Sequence, residues 1–159
     1  MGRVRSLGFA TVLVALAAFG IGGSEAGPFS PLAGNWVGSG TLTVSGARER
    51  LRCRAIYFVS AAGESLRQIL RCSSDSYIID VNSNVTEIDG KVSGTWHEAS
   101  SGVTGTLTGI VRGPVIQALV SGIGFTAPLS LVTRGRSQHA TINLGGPTVA
   151  AVVVTFHKV

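Results

Sequence analysis

Charge is scarce in this sequence. Of 159 residues only 13% are Asp, Glu, Lys or Arg, and the acids number 8. With 45% hydrophobic residues, that scarcity excludes an intrinsically disordered chain. Glycine triplets and heptads are both missing, which excludes collagen-like and coiled-coil architectures. No apolar run of about eighteen residues follows residue 23, so no helical membrane span is expected there. No G-x-S-x-G, H-E-x-x-H or Walker-type loop occurs. The 3 histidines lie far apart, and the 2 cysteines are too few for a metal site of their own. The sequence therefore reads as a non-enzyme without cofactor or metal. What is abundant is Gly, 22 residues, together with Val, Thr and Ser. That composition favours short strands over helices, at a length that suits one domain.

The N-terminus carries Arg3 and Arg5, then an uncharged apolar run from Leu7 to Gly23, then the small residues of Ser24-Glu25-Ala26. This is the pattern of a secretory signal peptide cleaved after Ala26. The expected organisation is a leader over 1–26 and a single exported domain over 27–159, in the periplasm or outside the cell. Removing Arg3, Arg5 and Glu25 takes 13 basic and 8 acidic residues to 11 and 7, a net charge of +4. Two cysteines in an oxidising compartment read as one disulfide, Cys53–Cys72.

Turn signals recur about every ten residues, as in an all-β barrel or sandwich. Hairpin registers can be tested by the faces they create, because a one-residue slip moves every side chain to the other face. A two-residue turn at Ser45-Gly46 sets Trp36 opposite Ala55 and Gly38 opposite Cys53. A loop over 61–64 sets Tyr57 opposite Gln68 and Cys53 opposite Cys72, close enough to bridge. Asp89-Gly90, a type I′ signal, sets Ser83 opposite Trp96. A loop over 99–102 sets Trp96 opposite Gly105. A type II′ turn at Gly135-Arg136 sets Leu131 opposite Ala140. Every hairpin keeps one apolar and one polar face. The Val-rich stretch 149–157 is placed to pair with the first strand and close an antiparallel up-and-down meander of about eight to ten strands. A two-sheet sandwich is the alternative. The stretch 114–124 is the least defined and is compatible with one helical turn.

Leu32-Ala33-Gly34-Asn35-Trp36, opening the first strand, resembles the Gly-x-Trp start of the calycin barrels, the lipocalins and avidin-like proteins. Gly94-Thr95-Trp96 repeats it. The chain from residue 27 also resembles small secreted bacterial β-barrel domains. The resemblance implies a calycin-like closed barrel. The Thr-Asp-Tyr-type motif of lipocalins is missing, so no particular ligand is implied. The same start is similar to that of small periplasmic protease inhibitors, whose inhibitory arm would correspond to 27–31.

Two candidate sites follow. The first is the interior, where Trp36, Tyr57, Gln68, Ser83, Trp96 and Glu98 face inward beside Gly38, Gly40, Gly94, Gly105 and Gly109. It is either packed solid or a cavity for a small apolar or amphipathic ligand. Glu87 and Glu98 are expected near one rim. The second is an outward face with Arg48, Arg50, Arg52, Arg54, Arg67 and Arg71, no acid among them, and Ile56, Phe58 and Ile69 alongside. Such a cluster attracts an anionic surface or an acidic protein. Nucleic acid is disfavoured by export and by the lack of aromatic-basic interleaving. Nothing in the sequence specifies an oligomeric state. The alternatives are an outer-membrane barrel, with the faces reversed, and a secreted inhibitor or interaction module using the arginine face.

Overall fold

A computed structural model describes residues 25–159. Most of the leader expected over 1–26 lies outside the described residues. A short 3-10 turn, Ser30–Leu32, precedes ten strands. These are β1 (Gly34–Val44), β2 (Ala47–Val59), β3 (Ser65–Ser73), β4 (Ile78–Ile88), β5 (Lys91–Glu98), β6 (Val103–Arg112), β7 (Val115–Gly122), β8 (Phe125–Arg134), β9 (Ser137–Asn143) and β10 (Val149–Lys158). Every strand pairs antiparallel with its sequence neighbours, and β10 pairs with β1 to close the barrel. Closure excludes the two-sheet sandwich.

The expected registers are those observed. Trp36 faces Ala55, Cys53 faces Cys72, Ser83 faces Trp96, and Leu131 faces Ala140. The turns show why. Ser45 and Gly46 both have positive φ (47° and 80°), as do Asp89 and Gly90 (51° and 77°), the signature of type I′. The stretch 114–124 contains strand β7 rather than a helical turn, because its alternation places Ala118 and Val120 inside and Gln117 and Leu119 outside.

Small barrels must bend sharply, and inward glycines allow it. A Cβ at Gly40 would run into the Val153 carbonyl oxygen, and one at Gly105 would meet the Ser121 carbonyl oxygen and sit 2.6 Å from the Trp96 ring. Neighbouring backbone thus occupies the volume that a side chain would fill.

Cys53 and Cys72 form the disulfide on the inner wall, with a Cα–Cα separation of 4.1 Å and a sequence separation of 19. It pins β2 to β3 in register. A loop of this size contributes about 3 kcal/mol through loss of unfolded-state entropy. Cys53→Ala/Cys72→Ala is therefore expected to lower denaturant stability by about that amount while keeping the β spectrum. An unchanged midpoint contradicts the assignment.

Candidate functional site

The barrel has one sealed and one open end. At the sealed end the Gly27 amide donates to Ala62 O and the Phe29 amide to Gly63 O, both at 2.9 Å. These bonds seat Phe29 and Leu32, which are 0% and 3% exposed, beneath the barrel as a plug. The arm expected over 27–31 is thus tied down rather than free to inhibit a protease. Trp36 belongs to this plug. Its Nε1 donates to Leu32 O at 2.8 Å, and Lys158 Nζ lies 5.1 Å from its ring centroid. Trp36 is 1% exposed and does not line the cavity, which corrects its assignment as an interior ligand residue.

Above the plug the interior is hollow. A cavity of about 530 Å³ runs to the opposite end, where Tyr77, Trp96, Glu98, Phe125 and Val149 line its wall. Leu70, Val81, Ile116, Val120, Leu129 and Leu131 line it too, yet none is buried. Their uncovered surface is the cavity wall, because the side chains reaching across do not meet.

Tyr57, Gln68 and Ser83 are inside as expected, and they join a larger chain. Ser83 Oγ donates to Gln68 Oε1 (3.0 Å), Gln68 Nε2 to the Tyr57 hydroxyl (3.1 Å), Tyr57 to Gln138 Oε1 (3.0 Å), and Gln138 Nε2 to Thr133 Oγ1 (3.2 Å). The chain links β4, β3, β2, β9 and β8. Gln138 and Thr133 were not expected, although inward parity with Ala140 marks both as buried polar positions. Burial pushes the Tyr57 hydroxyl up to about 12, against the lowering effect of its bonds to Gln68 and Gln138. It is neutral at physiological pH.

The mouth carries two acids whose oxygens are engaged. Desolvation opposes ionisation of Glu98, but hydrogen bonds from Ser100, Ser101 and the Asp80 amide prevail and hold it at about 2. Its carboxylate caps the 99–102 loop at the rim of the cavity whose wall it helps to line. Glu49, held low by Ser74 and Ser76, caps the 74–77 loop in the same way. Glu87 is not near Glu98. Glu87 opposes Val92 at one end of β5 while Glu98 ends that strand at the other, about 20 Å away. Glycosidase-like pairing of these acids is excluded. Trp96 and Phe125 pack against each other over Gly122 on one side of the mouth, with ring centroids 5.9 Å apart and planes at 44°.

On the outside, Arg48, Arg50, Arg52, Arg54, Arg67 and Arg71 are all exposed. The face is not free of acid, however. Asp80 opposes Arg71 on β4 and bridges its Nε at 3.2 Å. Arg67 stacks on Phe58, 4.2 Å from the ring centroid. Arg48 lies beside the Ser45-Gly46 turn. Apolar side chains inside and arginines outside are the reverse of what a lipid-spanning barrel needs, so the outer-membrane alternative is set aside.

The architecture is that of a calycin-like barrel: closed, antiparallel, plugged at one end and hollow within. No family model and no curated protein matches the chain. Among solved structures it is similar to the S-type phycobiliprotein lyase CPES from Guillardia theta. That likeness has a TM-score of 0.60 at 11% identity and covers 82% of this chain and 90% of the other. It shows a shared fold. It also corrects the expectation of a non-enzyme, since a barrel of this shape carries a protein named as a lyase. Inward groups spread over separate strands leave no linear motif, so the missing motifs do not exclude catalysis.

Two pH windows follow. The raised Tyr57 contributes stability that is complete below pH 10 and lost as pH rises from 10 to about 12. The depressed Glu98 contributes stability that is present above pH 4.5 and lost as pH falls towards about 2. Tyr57→Phe leaves Gln138 Oε1 without a donor and should cost about 1–3 kcal/mol at pH 7. Melting curves are expected to show wild type losing its advantage over Tyr57→Phe only in the alkaline window, and its advantage over Glu98→Gln only in the acid one. Parallel pH profiles refute these roles.

Proposed function

We propose that this protein is an exported barrel that takes one small apolar or amphipathic molecule into its interior through the open end. The observation that carries this reading is the hollow, apolar wall above a polar floor. A volume of about 530 Å³ lies within the range of small-molecule sites, which are mostly apolar with a few placed polar groups. The buried part of the ligand is uncharged, because the interior holds no group to pair with a charge. A polar atom at its inner end meets Ser83 and Gln68, and its outer part lies against the Trp96–Phe125 pair. That a barrel of this fold serves a protein named as a phycobiliprotein lyase accords with this reading. Export is supported by the N-terminal sequence and by the disulfide, which persists in oxidising compartments.

Titration with N-phenyl-1-naphthylamine, an uncharged fluorescent probe, tests the cavity. Saturable one-site binding with quenching of Trp96 is expected. The response should survive Trp36→Phe and be lost in Trp96→Phe. Val120→Trp, which fills the cavity, is expected to weaken binding about tenfold, near 1.4 kcal/mol. No binding by wild type, or equal binding by the filled variant, overturns the reading. Export is tested by mass spectrometry of the protein produced with its full N-terminus: a product beginning at Gly27 supports it, and an intact Met1–Val159 chain refutes it.

A further inference from the structure

The outer wall carries a second site, independent of the cavity. The rows across β10, β1, β2 and β3 run Thr155–Ser39–Arg52–Ser73 and His157–Val37–Arg54–Arg71. Ser39 and Val37 on β1 and Thr155 on β10 are short beside the arginines of β2, with His157 at one end of the row. The difference in height makes a groove of about 790 Å³, with Arg50, Arg52, Arg54 and Arg71 as one wall and Ser39 and Thr155 in its floor.

Arg50, Arg52 and Arg54 repeat every second residue, so their stems stand about 6.8 Å apart and the row runs about 14 Å. Arg54 stands directly opposite Arg71. Like charges so placed destabilise a sheet, and here the neighbouring disulfide holds the two strands together against the repulsion. Among the described residues, Asp80 on Arg71 is the one acid in salt-bridge range of any of these guanidinium groups.

We propose that this groove binds a linear acidic polysaccharide, a chain whose repeating carboxylates meet successive arginines while its hydroxyls meet Ser39 and Thr155. Guanidinium forks match carboxylates two bonds at a time. A single anion would engage one or two arginines and leave the rest of the row unused. A flat bilayer surface does not enter a groove walled by side chains. An extended acidic peptide cannot add main-chain bonds here, because the closed barrel offers no sheet edge, whereas a sugar chain brings hydroxyls to the floor along its whole length.

The test is calorimetric titration of the protein with polygalacturonate fragments over a series of salt concentrations. Binding that weakens steadily with salt is expected. Arg50→Gln/Arg52→Gln/Arg54→Gln should lose about tenfold or more in affinity. Lys91→Gln/Arg112→Gln/Arg134→Gln, with the same change in net charge on other strands, should bind as wild type does. Ser39→Phe keeps every charge but blocks the floor, and it too should weaken binding. The proposal is overturned if wild type does not bind, if the two triple variants bind alike, or if Ser39→Phe binds normally. Tighter binding to poly-glutamate or to phosphatidylglycerol vesicles overturns it in favour of an acidic protein or a membrane.

Discussion

The pairing of β10 with β1 is the constraint on which everything else rests. Without it the sheet would leave two edges, and the inward side chains would line an open trough. With it, they enclose a space whose size is set by backbone curvature. Curvature in turn depends on places such as Gly40 and Gly105, where the adjoining strand occupies the position of a missing side chain. Ten strands set a circumference that Leu and Val cannot span, so the closed barrel stays hollow.

The plug decides which end functions. Phe29 and Leu32 precede the first strand, and two backbone bonds to the 61–64 loop fold them under the barrel. Trp36 and Lys158 complete the seal. The opposite rim is held by carboxylates that cap loops. Glu49 and Glu98 are acids at a mouth, but their oxygens are taken up in shaping it. The entrance is thus defined by aromatic rings, and the charge of the molecule is concentrated on the outer wall.

Much of this was legible in the sequence. Two-residue turns with Gly in the right place fix register, and register fixes which residues face inward. Tyr57, Gln68, Ser83, Trp96 and the cysteine pair were found that way. The errors have a common cause: parity gives a face but not a height along the barrel. Trp36 faces inward, yet at the sealed end. Glu87 and Glu98 share a face, yet sit at opposite rims. Asp80 was missed because the arginine face continues onto β4, a third strand across from Arg71. The plug was invisible because no alternation precedes the first strand, and the sequence has no local signal for residues that fold back across a barrel mouth.

The buried polar chain has a direction. From Ser83 to Thr133 each donor points the same way, through Gln68, Tyr57 and Gln138. Ser83 has spent its proton, so it meets the cavity as an acceptor, and a guest bonding there must donate. Hydrogen bonds in series polarise one another. A proton offered at Ser83 therefore strengthens each bond in turn and is felt at Thr133, beside the hairpin between β8 and β9. The hollow side of the barrel and its far wall are connected electronically, with no atom having to move.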